Sequence, residues 1–540
     1  MRLSCFIRRL LFFVLLCFSM TAFAVDQALS ILPIPRSMTQ KEGRFTLNPT
    51  TVITGNKEEA LHLTEVLRKG TGFPLEIVSD APATNFISLT VTPALKESLG
   101  LEGYRLSVFT GRVEISAASD AGLFYGGVTL CQLLPPAVWA EHPVSKTNDW
   151  SVPCVEIEDF PEHAWRGMLL DVARHFFPPE FVKKFIDDMA IHKLNVLHLH
   201  LADDQGWRVE MRRYPLLTEI GSKRAESPKA GDRDSGDGVP YGPFYYTQAQ
   251  LKDLIQYAKA RHVEIVPEID MPGHFVAALA GYPQYSCKGE PIAVSTRWPR
   301  KKDVLCLGND DAVEFAKNIL GEIVEIFPSK FIHVGGDEVI MDRWKECPRC
   351  QARMKALGLS DEHELHSWFN RQLEAFLEQR GRRLVGWDEI LDGGTGKNSV
   401  IMCWRGVDAG AAACAAGRDV VMCPSMYYYF DSAQSKDPTE PEAARKVTPL
   451  EKTFGLDPVP VNVPEESRHR ILGVEGCLWS EFLRTPAGVE YAAFPRTCAL
   501  AELGWAPESR RGDFDSFSKR LAHHLERLKA MGVNYRNPKP

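Results

Sequence analysis

Short apolar runs alternate with amphipathic stretches along the chain from residue 153 onward. Eight of the apolar runs predict β-strands, at residues 168–172, 196–201, 263–269, 331–334, 383–387, 399–404, 419–423 and 471–477. Apolar residues at helical spacing lie between most of them and predict helices at 179–192, 247–260, 311–326 and 361–380. Strands that alternate with helices in this way favour an α/β fold, a closed (β/α)8 TIM barrel rather than an open sheet.

The part of the chain before this alternation mixes strand-like and helical stretches. They lie at residues 58–68, 86–91, 104–108, 113–116 and 121–134. We therefore expect a smaller α+β domain at 25–155 that precedes a barrel domain at 156–540. Within the barrel domain, the Pro-rich and charged segment 431–470 lacks a clear helical pattern, which predicts a long loop.

The first residues have the pattern of a secretory leader. Arginines at positions 2, 8 and 9 precede an apolar segment at 10–18, and Ala22-Phe23-Ala24 supplies small residues for cleavage. This pattern predicts a signal peptide at 1–24 and a mature chain that begins at Val25. An uncleaved membrane anchor is the alternative, but the apolar segment is too short to span a bilayer comfortably. We expect an exported protein, periplasmic or secreted, without a stable membrane anchor.

Composition narrows the class of protein and of partner. The chain has 540 residues, of which 44% are hydrophobic and 25% charged, as in a soluble globular protein with an ample core. Its formal net charge is -7, and no basic stripe is present. Nucleic acid is therefore not expected as a partner.

The cysteines have to be interpreted for an oxidising compartment. Of the 13 cysteines, Cys5 and Cys17 fall in the leader, and most of the others lie in apolar runs typical of buried thiols. The segment 347–350, Cys-Pro-Arg-Cys, could be a redox motif or half of a zinc site, but no second pair with zinc spacing accompanies it. A local disulfide or a plain thiol pair is favoured there. Cys287 and Cys306 bracket a loop rich in Lys, Pro and Arg, which predicts a disulfide that closes this loop.

The ends of the predicted strands share one kind of chemistry. Active-site groups of parallel barrels gather at the carboxyl ends of the strands. Here nearly every such end supplies a carboxylate, an aromatic ring or both: Asp203 and Trp207, Asp270 and His274, Asp337 and Glu338, Trp387 and Glu389, Trp404, Tyr429 and Asp431, Trp479 and Glu481. Indole rings stack on the apolar faces of sugars, and carboxylates accept hydrogen bonds from vicinal hydroxyls. The combination predicts a sugar pocket.

The pair Asp337-Glu338 is the strongest candidate for chemistry. It follows a short apolar strand and two glycines, Gly335 and Gly336. Like charges in a confined site push one pKa upward. A carboxyl with a raised pKa beside an ionised neighbour is what general acid catalysis at a glycosidic bond requires.

Two groups of residues admit a second interpretation. His198 and His200 lie on one face of a strand and could bind a metal, but packed, hydrogen-bonded histidines are favoured, and we expect no metal. Asp171, Arg174 and His175 follow the first barrel strand. They either line the pocket or form a buried ion pair that shapes it, and the sequence favours neither.

Several long motifs resemble glycoside hydrolase family 20, the β-N-acetylhexosaminidases. They are WRG with LDVARHF at 165–176, HLHLADDQGW at 198–207, PEIDMPGH at 267–274 and HVGGDE at 333–338. The resemblance runs in the same order from about Arg166 to Glu481. The amino-terminal part is similar to the accessory α+β domain of this family. The resemblance implies removal of terminal β-linked N-acetylglucosamine or N-acetylgalactosamine from non-reducing ends, without a cofactor.

The resemblance also implies a mechanism in which the substrate's own 2-acetamido oxygen attacks the anomeric carbon. It makes Glu338 the acid and then the base, and Asp337 the group that orients the acetamide and stabilises the oxazolinium ion. Tyr429 is chosen from three consecutive tyrosines as donor to the acetamido oxygen, because it stands two residues before Asp431. Trp387, Trp404 and Trp479 are implied to form the walls of the pocket. Arg166 and Glu481 are implied to bind the distal hydroxyls of the sugar, with Asp431 on the opposite rim. Asp203 and His274 are implied to tune Glu338.

Other functions remain open at this level. A lacto-N-biosidase-like enzyme would release a disaccharide, and a non-catalytic sugar-binding barrel would lack the acid, which is present here as Glu338. The expected partner is an oligosaccharide or glycoconjugate substrate. Chitin fragments, glycoprotein glycans and glycolipids are not distinguished, and no oligomeric state is predicted.

Overall fold

The computed structural model describes residues 29–143 and 149–538. The chain forms two compact units, one of Met1–Phe160 with Asp515–Gly532 and one of Pro161–Phe514 with Val533–Pro540. The predicted leader, 1–24, lies outside the described residues. Among the described residues, no helix combines the length and the apolar character that crossing a membrane requires.

The first unit is built on a seven-stranded mixed sheet in the order β1-β7-β5-β6-β4-β2-β3. Its strands are β1 (Ser37–Thr46), β2 (Val52–Gly55), β3 (Glu76–Val78), β4 (Phe86–Val91), β5 (Tyr104–Phe109), β6 (Arg112–Ala117) and β7 (Ser151–Asp159). Its helices before β7 are α1 (Lys57–Thr71), α2 (Lys96–Leu99) and α3 (Asp120–Leu133), with 3-10 turns at Pro93–Leu95 and Pro136–Trp139. The three predicted strands and two predicted helices are therefore confirmed within a few residues.

The second unit is a closed barrel in the order β14-β15-β16-β17-β18-β21-β8-β9, with all neighbours parallel. Its strands are β8 (Trp165–Asp171), β9 (Val196–His200), β14 (Glu264–Glu268), β15 (Phe331–His333), β16 (Arg383–Trp387), β17 (Val400–Cys403), β18 (Asp419–Met422) and β21 (Ile471–Leu478). These are the eight predicted strands, so the predicted barrel is confirmed.

Helices follow most of the barrel strands. They are α4 (Pro179–Ile191), α5 (Leu216–Glu219), α6 (Gln248–Lys259), α7 (Val276–Gly281), α8 (Asp310–Ile326), α9 (Asp342–Glu346), α10 (Pro348–Leu357), α11 (Glu362–Glu378), α12 (Val407–Ala415), α13 (Ser425–Tyr428), α14 (Leu450–Phe454), α15 (Pro486–Ala493), α16 (Arg496–Trp505) and α17 (Glu508–Arg511). The starts of three predicted helices are fixed by capping side chains: Thr247, Asn309 and Asp361 each accept a hydrogen bond from a backbone N–H of the first turn. Thr247 forms a full capping box with Gln250.

The connections carry the remaining short elements. They are β10 (Ala202–Asp203), β11 (Gly206–Trp207), β12 (Pro228–Lys229), β13 (Asp232–Gly236), β19 (Ser432–Ala433), β20 (Ala444–Val447) and 3-10 turns at Pro283–Tyr285, Asp388–Leu391 and Glu465–Arg470. The segment 431–470, expected to be a plain loop, thus contains a parallel strand pair and the short helix α14. These elements were not predicted because they are too short to show a periodicity of apolar residues.

The last helix, α18 (Phe514–Ala530), departs from the expected domain boundaries. The predicted barrel domain, 156–540, includes this helix, whereas almost all of it clusters with the first unit. Arg527 explains this grouping, because its buried guanidinium donates from Nη2 to the carbonyls of Ser30 over 2.9 Å and Gln132 over 2.7 Å. A boundary near 160 describes the structure better than the expected 155.

The barrel interior combines apolar side chains with a few buried polar ones. Its buried apolar cluster includes Leu169, Val266, Val385, Val400, Met402, Val421 and Cys477. His198, Glu268 and Glu475 are also fully buried there. The partly buried members that pack against the cluster include Trp404, Tyr429 and Trp479. The core therefore forms the floor beneath these aromatic side chains.

Candidate active site

Two adjacent carboxylates, Asp337 and Glu338, stand just past the end of β15. The backbone turns there through Gly335 and Gly336, whose φ angles of 66° and 91° lie in the region that favours glycine. A side chain at Gly335 would also collide, since its Cβ would lie 1.8 Å from Asp270 Oδ1. The Gly336 N–H donates to that same oxygen over 3.1 Å. The glycine pair therefore sets the direction in which the two carboxylates leave the strand.

Glu338 faces two cationic side chains. Its Oε2 lies 3.6 Å from His274 Nε2 and 3.7 Å from Arg300 Nε, and its side chain is 35% exposed. Hydrogen bonding by His274 is the main cause that lowers the pKa of Glu338 below its usual value. Partial burial opposes this, and the charges of His274 and Arg300 reinforce it. In the free protein this carboxyl is held ionised.

Asp337 has the opposite electrostatic environment. Its Oδ1 is buried and has no hydrogen-bond partner among the described residues. Burial raises the pKa of Asp337 to about 6, with His274 opposing the shift and Glu268 and Glu338 adding to it. One carboxyl of the pair has a raised pKa, but it is that of Asp337 and not of Glu338, the residue assigned as acid, and burial rather than the neighbouring charge is its main cause.

His274 and Asp203 connect Glu338 to the barrel wall. His274 Nδ1 lies 3.2 Å from Asp203 Oδ1, and Asp203 Oδ2 lies 2.9 Å from His200 Nε2. Burial disfavours the charged form of His274, but Asp203 and Glu338 overcome it and raise the pKa of His274 well above the usual value. The positive φ of His274, 49°, aims this ring at Glu338 from the end of β14. His274 therefore lies beside Glu338 and Asp203 lies behind His274, and a role of both in tuning Glu338 stays a prediction.

The contacts of Arg174 decide whether Asp171, Arg174 and His175 line the pocket or form a buried ion pair, which the sequence left open. Its Nη2 lies 2.6 Å from Asp203 Oδ2 and its Nη1 lies 3.2 Å from Asp171 Oδ2, so it forms a buried ion-pair network. Its guanidinium also lies 5.2 Å from the ring centre of Trp479, and Glu481 is among the charges that act on it. Arg174 thus both shapes and lines the site.

Arg166 is wrongly assigned to the substrate pocket. It sits near the start of β8, in register with Val474, at the barrel end opposite to Asp337 and Glu338. Its buried side chain donates to the carbonyls of Lys193 over 2.7 Å and His163 over 2.8 Å. The strand is flanked by an arginine at each end, and Arg174, after the carboxyl end, is the one that the fold brings to the site.

Aromatic rings form a continuous wall beside the carboxylates. The ring centres of Trp387 and Trp479 are 5.7 Å apart, those of Trp479 and Tyr429 are 6.1 Å apart, and Tyr429 stacks on Trp404 at 6.2 Å with an angle of 18°. Trp387 is almost fully buried and donates to Glu268 Oε1 over 2.9 Å. Trp479 Nε1 has no hydrogen-bond partner among the described residues.

Contacts with the aromatic wall distinguish Tyr429 from the preceding Tyr428. Tyr428 is buried and its hydroxyl donates to the carbonyl of Leu456, whereas the Tyr429 ring packs between Trp404 and Trp479. Burial raises the pKa of Tyr429 well above its usual value, so its hydroxyl remains a donor. Asp431, two residues on, is buried as well. The choice of Tyr429 therefore fits the geometry.

The histidines that could bind a metal form a hydrogen-bonded network with buried carboxylates. Glu268 lies 2.5 Å from His200 Nδ1 and 3.0 Å from both His198 Nε2 and His333 Nδ1. His198 Nδ1 also lies 2.7 Å from Glu475 Oε1. His198 and His200 are therefore packed and hydrogen-bonded to buried carboxylates, whereas His333 Nε2 has no hydrogen-bond partner among the described residues.

Two side chains near the carboxylates were not assigned from the sequence. Glu389 accepts a hydrogen bond from Trp404 Nε1 over 2.9 Å, and burial, followed by the charges of Asp337 and Asp388, raises the pKa of Glu389 to about 8. Arg300 lies in a loop without a motif. Glu338, Glu389, Arg300 and Trp404 border a cavity of about 330 Å³. Glu389 was predicted from the sequence as a strand-end carboxylate, but no sequence pattern indicated a role for Arg300.

Comparisons with known protein families match almost the whole described chain. The model of the Glycosyl hydrolase family 20 catalytic domain matches residues 163–508, and that of domain 2 of the same family matches 28–160. A β-hexosaminidase of Porphyromonas gingivalis is 41% identical over 95% of this chain, and the match spans 65% of that relative's length. A β-N-acetylhexosaminidase of Cellulomonas fimi is 32% identical over 92% of this chain and 93% of its own.

Solved structures agree with these matches. The family 20 β-N-acetylhexosaminidase of Streptomyces coelicolor aligns with a TM-score of 0.82 and 32% identity, covering 95% of this chain and 98% of its own. An exo-β-N-acetylglucosaminidase of Vibrio harveyi, solved in complex with N-acetylglucosamine, aligns with a TM-score of 0.84 and 32% identity over 95% of this chain and 79% of its own.

Proposed function

The chain belongs to glycosyl hydrolase family 20, and we propose that it is an exo-acting β-N-acetylhexosaminidase whose Glu338 and Asp337 perform substrate-assisted catalysis. It removes terminal β-linked N-acetylglucosamine or N-acetylgalactosamine from the non-reducing ends of oligosaccharides and glycoconjugates. Family membership and the relatives' names support the reaction class. The observation that carries the residue assignment is the opposite environment of the two adjacent carboxylates.

Glu338 is the general acid and then the general base. Its exposure of 35% and the cations of His274 and Arg300 keep it ionised in the free enzyme. A sugar that fills the pocket removes water from this carboxyl, and desolvation raises a carboxyl pKa. Substrate binding therefore favours the protonated form that donates to the leaving oxygen. After that oxygen has left, the carboxylate takes a proton from the attacking water.

Asp337 acts on the acetamido group of the substrate. Its Oδ1, buried and without a hydrogen-bond partner among the described residues, is an acceptor available to the acetamido N–H. The acetamido oxygen attacks the anomeric carbon as the bond to the leaving oxygen breaks, and the resulting oxazolinium ion carries the positive charge near nitrogen. A buried carboxylate stabilises that charge strongly because it develops in a site of low dielectric. Holding the nucleophile in place adds a proximity effect.

The aromatic wall positions the terminal sugar. Trp479 and Trp404 offer partly exposed indole rings, and Trp387 supports them from beneath. Tyr429 stands between Trp404 and Trp479, where its hydroxyl donates to the acetamido oxygen and turns it toward the anomeric carbon. This arrangement supports a pocket that selects a terminal sugar with a 2-acetamido group.

Arg174, together with Glu481, binds the distal hydroxyls of the terminal sugar, which is the role first assigned to Arg166. The guanidinium is fixed by Asp171 and Asp203 and lies beside Trp479, so its remaining donors are aimed where the distal hydroxyls of a stacked sugar would lie. Glu481 follows β21, and burial raises its pKa against the influence of Arg174. Asp431 completes the rim on the other side.

The enzyme acts outside the cytoplasm in this proposal. The leader pattern at 1–24 supports export to the periplasm or the medium, with Val25 as the first residue of the mature chain. Exo-acting removal of single sugars suits such a location, because oligosaccharides and glycoconjugates are accessible there.

The exo-specificity is tested with three p-nitrophenyl glycosides assayed side by side. We expect release of p-nitrophenol from the N-acetylglucosaminide and the N-acetylgalactosaminide, and little from the lacto-N-bioside, because the pocket holds one terminal sugar. Efficient hydrolysis of the lacto-N-bioside would contradict the proposal and indicate a disaccharide-releasing enzyme. Inactivity on all three would favour a sugar-binding protein.

The division of labour is tested with Glu338→Gln and Asp337→Asn on aryl glycosides of increasing leaving-group pKa. Glu338→Gln should lose about 100- to 10,000-fold in kcat on poor leaving groups, because proton donation is worth that much, and far less on good ones. Asp337→Asn should lower kcat more than it raises KM, with a shallow dependence on the leaving group. Equal dependence in the two variants would contradict these roles.

The two arginines provide a matched test of the site geometry. Arg174→Gln should lower kcat/KM by about 10- to 100-fold, the loss expected for charged hydrogen bonds worth about 1.5–3 kcal/mol. It should also discriminate less than the wild type against a substrate that lacks the 4-hydroxyl. Arg166→Gln should lower the melting temperature and leave kcat/KM of the folded enzyme near that of the wild type. Loss of substrate affinity in Arg166→Gln alone would contradict the assignment.

A further inference from the structure

Four cysteine side chains meet in the barrel unit, away from the carboxylates. Cys287 follows the 3-10 turn Pro283–Tyr285, and Cys306 lies shortly before α8. Cys347 ends α9 and Cys350 lies in the first turn of α10. Three of the four are buried, Cys287 is half-buried, and all four are free thiols. The predicted disulfide between Cys287 and Cys306 is therefore wrong.

The sulfur atoms are arranged like the corners of a tetrahedron. Cys287 Sγ lies 3.9 Å from Cys350 Sγ, and Cys306 Sγ lies 3.8 Å from the Sγ atoms of both Cys347 and Cys350. All four atoms lie within 4.8 Å of one another. Zinc binds thiolates at about 2.3 Å, which sets the edge of a regular tetrahedron of four sulfur ligands at about 3.8 Å. We propose that these four cysteines bind one structural zinc ion.

The backbone around the cluster is shaped for such a site. Gly308 approaches the turn before α10 so closely that a Cβ there would lie 2.1 Å from the carbonyl carbon of Arg349. Arg349 Nη2 donates to the carbonyls of Ser286 over 3.2 Å and Cys287 over 3.3 Å, so this side chain ties the turn before α10 to the segment that carries Cys287. Hydrogen bonds that surround a metal site hold the segments that carry its ligands in place. A zinc ion with four thiolates carries net negative charge, part of which the guanidinium of Arg349 offsets.

The site has a structural character rather than a catalytic one. Four protein ligands leave no position open for water or substrate, which distinguishes structural zinc from catalytic zinc. The ligands join the connection after β14 to the connection after β15. Arg300 lies between Cys287 and Cys306, and its Nε is 3.7 Å from Glu338 Oε2. The zinc ion therefore holds in register two connections that both reach the catalytic acid.

Two ion pairs cross the same two connections. Lys302 Nζ lies 2.9 Å from Asp342 Oδ2, and Arg343 Nε lies 3.0 Å from Asp303 Oδ1. Both pairs are partly exposed, and such pairs contribute little on their own. The cysteine cluster is the buried element of this junction, and it is the element able to fix its geometry.

The test uses the full-length enzyme, produced without a polyhistidine tag in zinc-containing medium and purified without chelator. Elemental analysis should find about one zinc ion per chain in the wild type, as a closed site of four thiolates predicts. Cys306→Ser should lose most of this zinc and melt at a lower temperature. The control, Cys414→Ser, replaces another buried barrel cysteine and should retain the zinc.

A measurement on the wild type makes the test independent of the folding of any variant. Denatured, unreduced protein should alkylate at all four cysteines once a chelator has removed the zinc. Disulfides that pair Cys287 with Cys350 and Cys306 with Cys347 would overturn the proposal. So would four free thiols without metal, a bound iron ion in place of zinc, or zinc that is retained in Cys306→Ser.

Discussion

Burial of several carboxylates close together is the constraint on which this active site depends. Asp270, Asp337 and Glu389 all have pKa values raised chiefly by burial, and each is raised further by a neighbouring carboxylate. Such charges are tolerated only when cations or fixed donors face them. His274 supplies the cation that opposes the shift at Asp270 and Asp337, Arg405 does so at Glu389, and the N–H of Gly336 donates to Asp270. The catalytic geometry follows from how these few partners are shared.

Because these cations and donors are distributed unequally, the adjacent residues Asp337 and Glu338 have different electrostatic environments. Glu338 receives His274 and Arg300, whereas Asp337 keeps a buried oxygen without a partner among the described residues. An enzyme whose nucleophile is part of the substrate needs this asymmetry. It does not need two carboxylates on opposite sides of the bond, which is the arrangement of ordinary retaining glycosidases. In the proposed mechanism two consecutive residues suffice, because Glu338 acts on the leaving oxygen and Asp337 on the acetamide.

The barrel was predictable from the sequence because its buried parallel strands are nearly continuous apolar runs. The strand-end carboxylates and aromatic residues were predictable for the same reason, since the topology fixes which end of each strand carries the site. The prediction failed for Arg166, which was assigned to the substrate pocket from a motif. Arg166 lies near the start of β8, at the opposite end of the barrel from Arg174. Burial raises the pKa of Asp337, and His274 with Arg300 lowers that of Glu338, and adjacency in sequence reveals neither environment. The grouping of Cys287 and Cys306 with Cys347 and Cys350 was not predicted, because the paired sulfur atoms come from residues 41 to 63 positions apart.

The central claim is that the substrate's acetamide, supported by Asp337, is the nucleophile. The most direct measurement is inhibition by a thiazoline analogue of the bicyclic oxazolinium intermediate, compared between the wild type and Asp337→Asn. We expect competitive inhibition of the wild type far tighter than substrate binding, because the analogue resembles a species that the enzyme stabilises most, and much weaker inhibition of Asp337→Asn. Weak inhibition of the wild type, together with a covalent glycosyl-enzyme trapped on Asp337 or Glu338, would contradict the account.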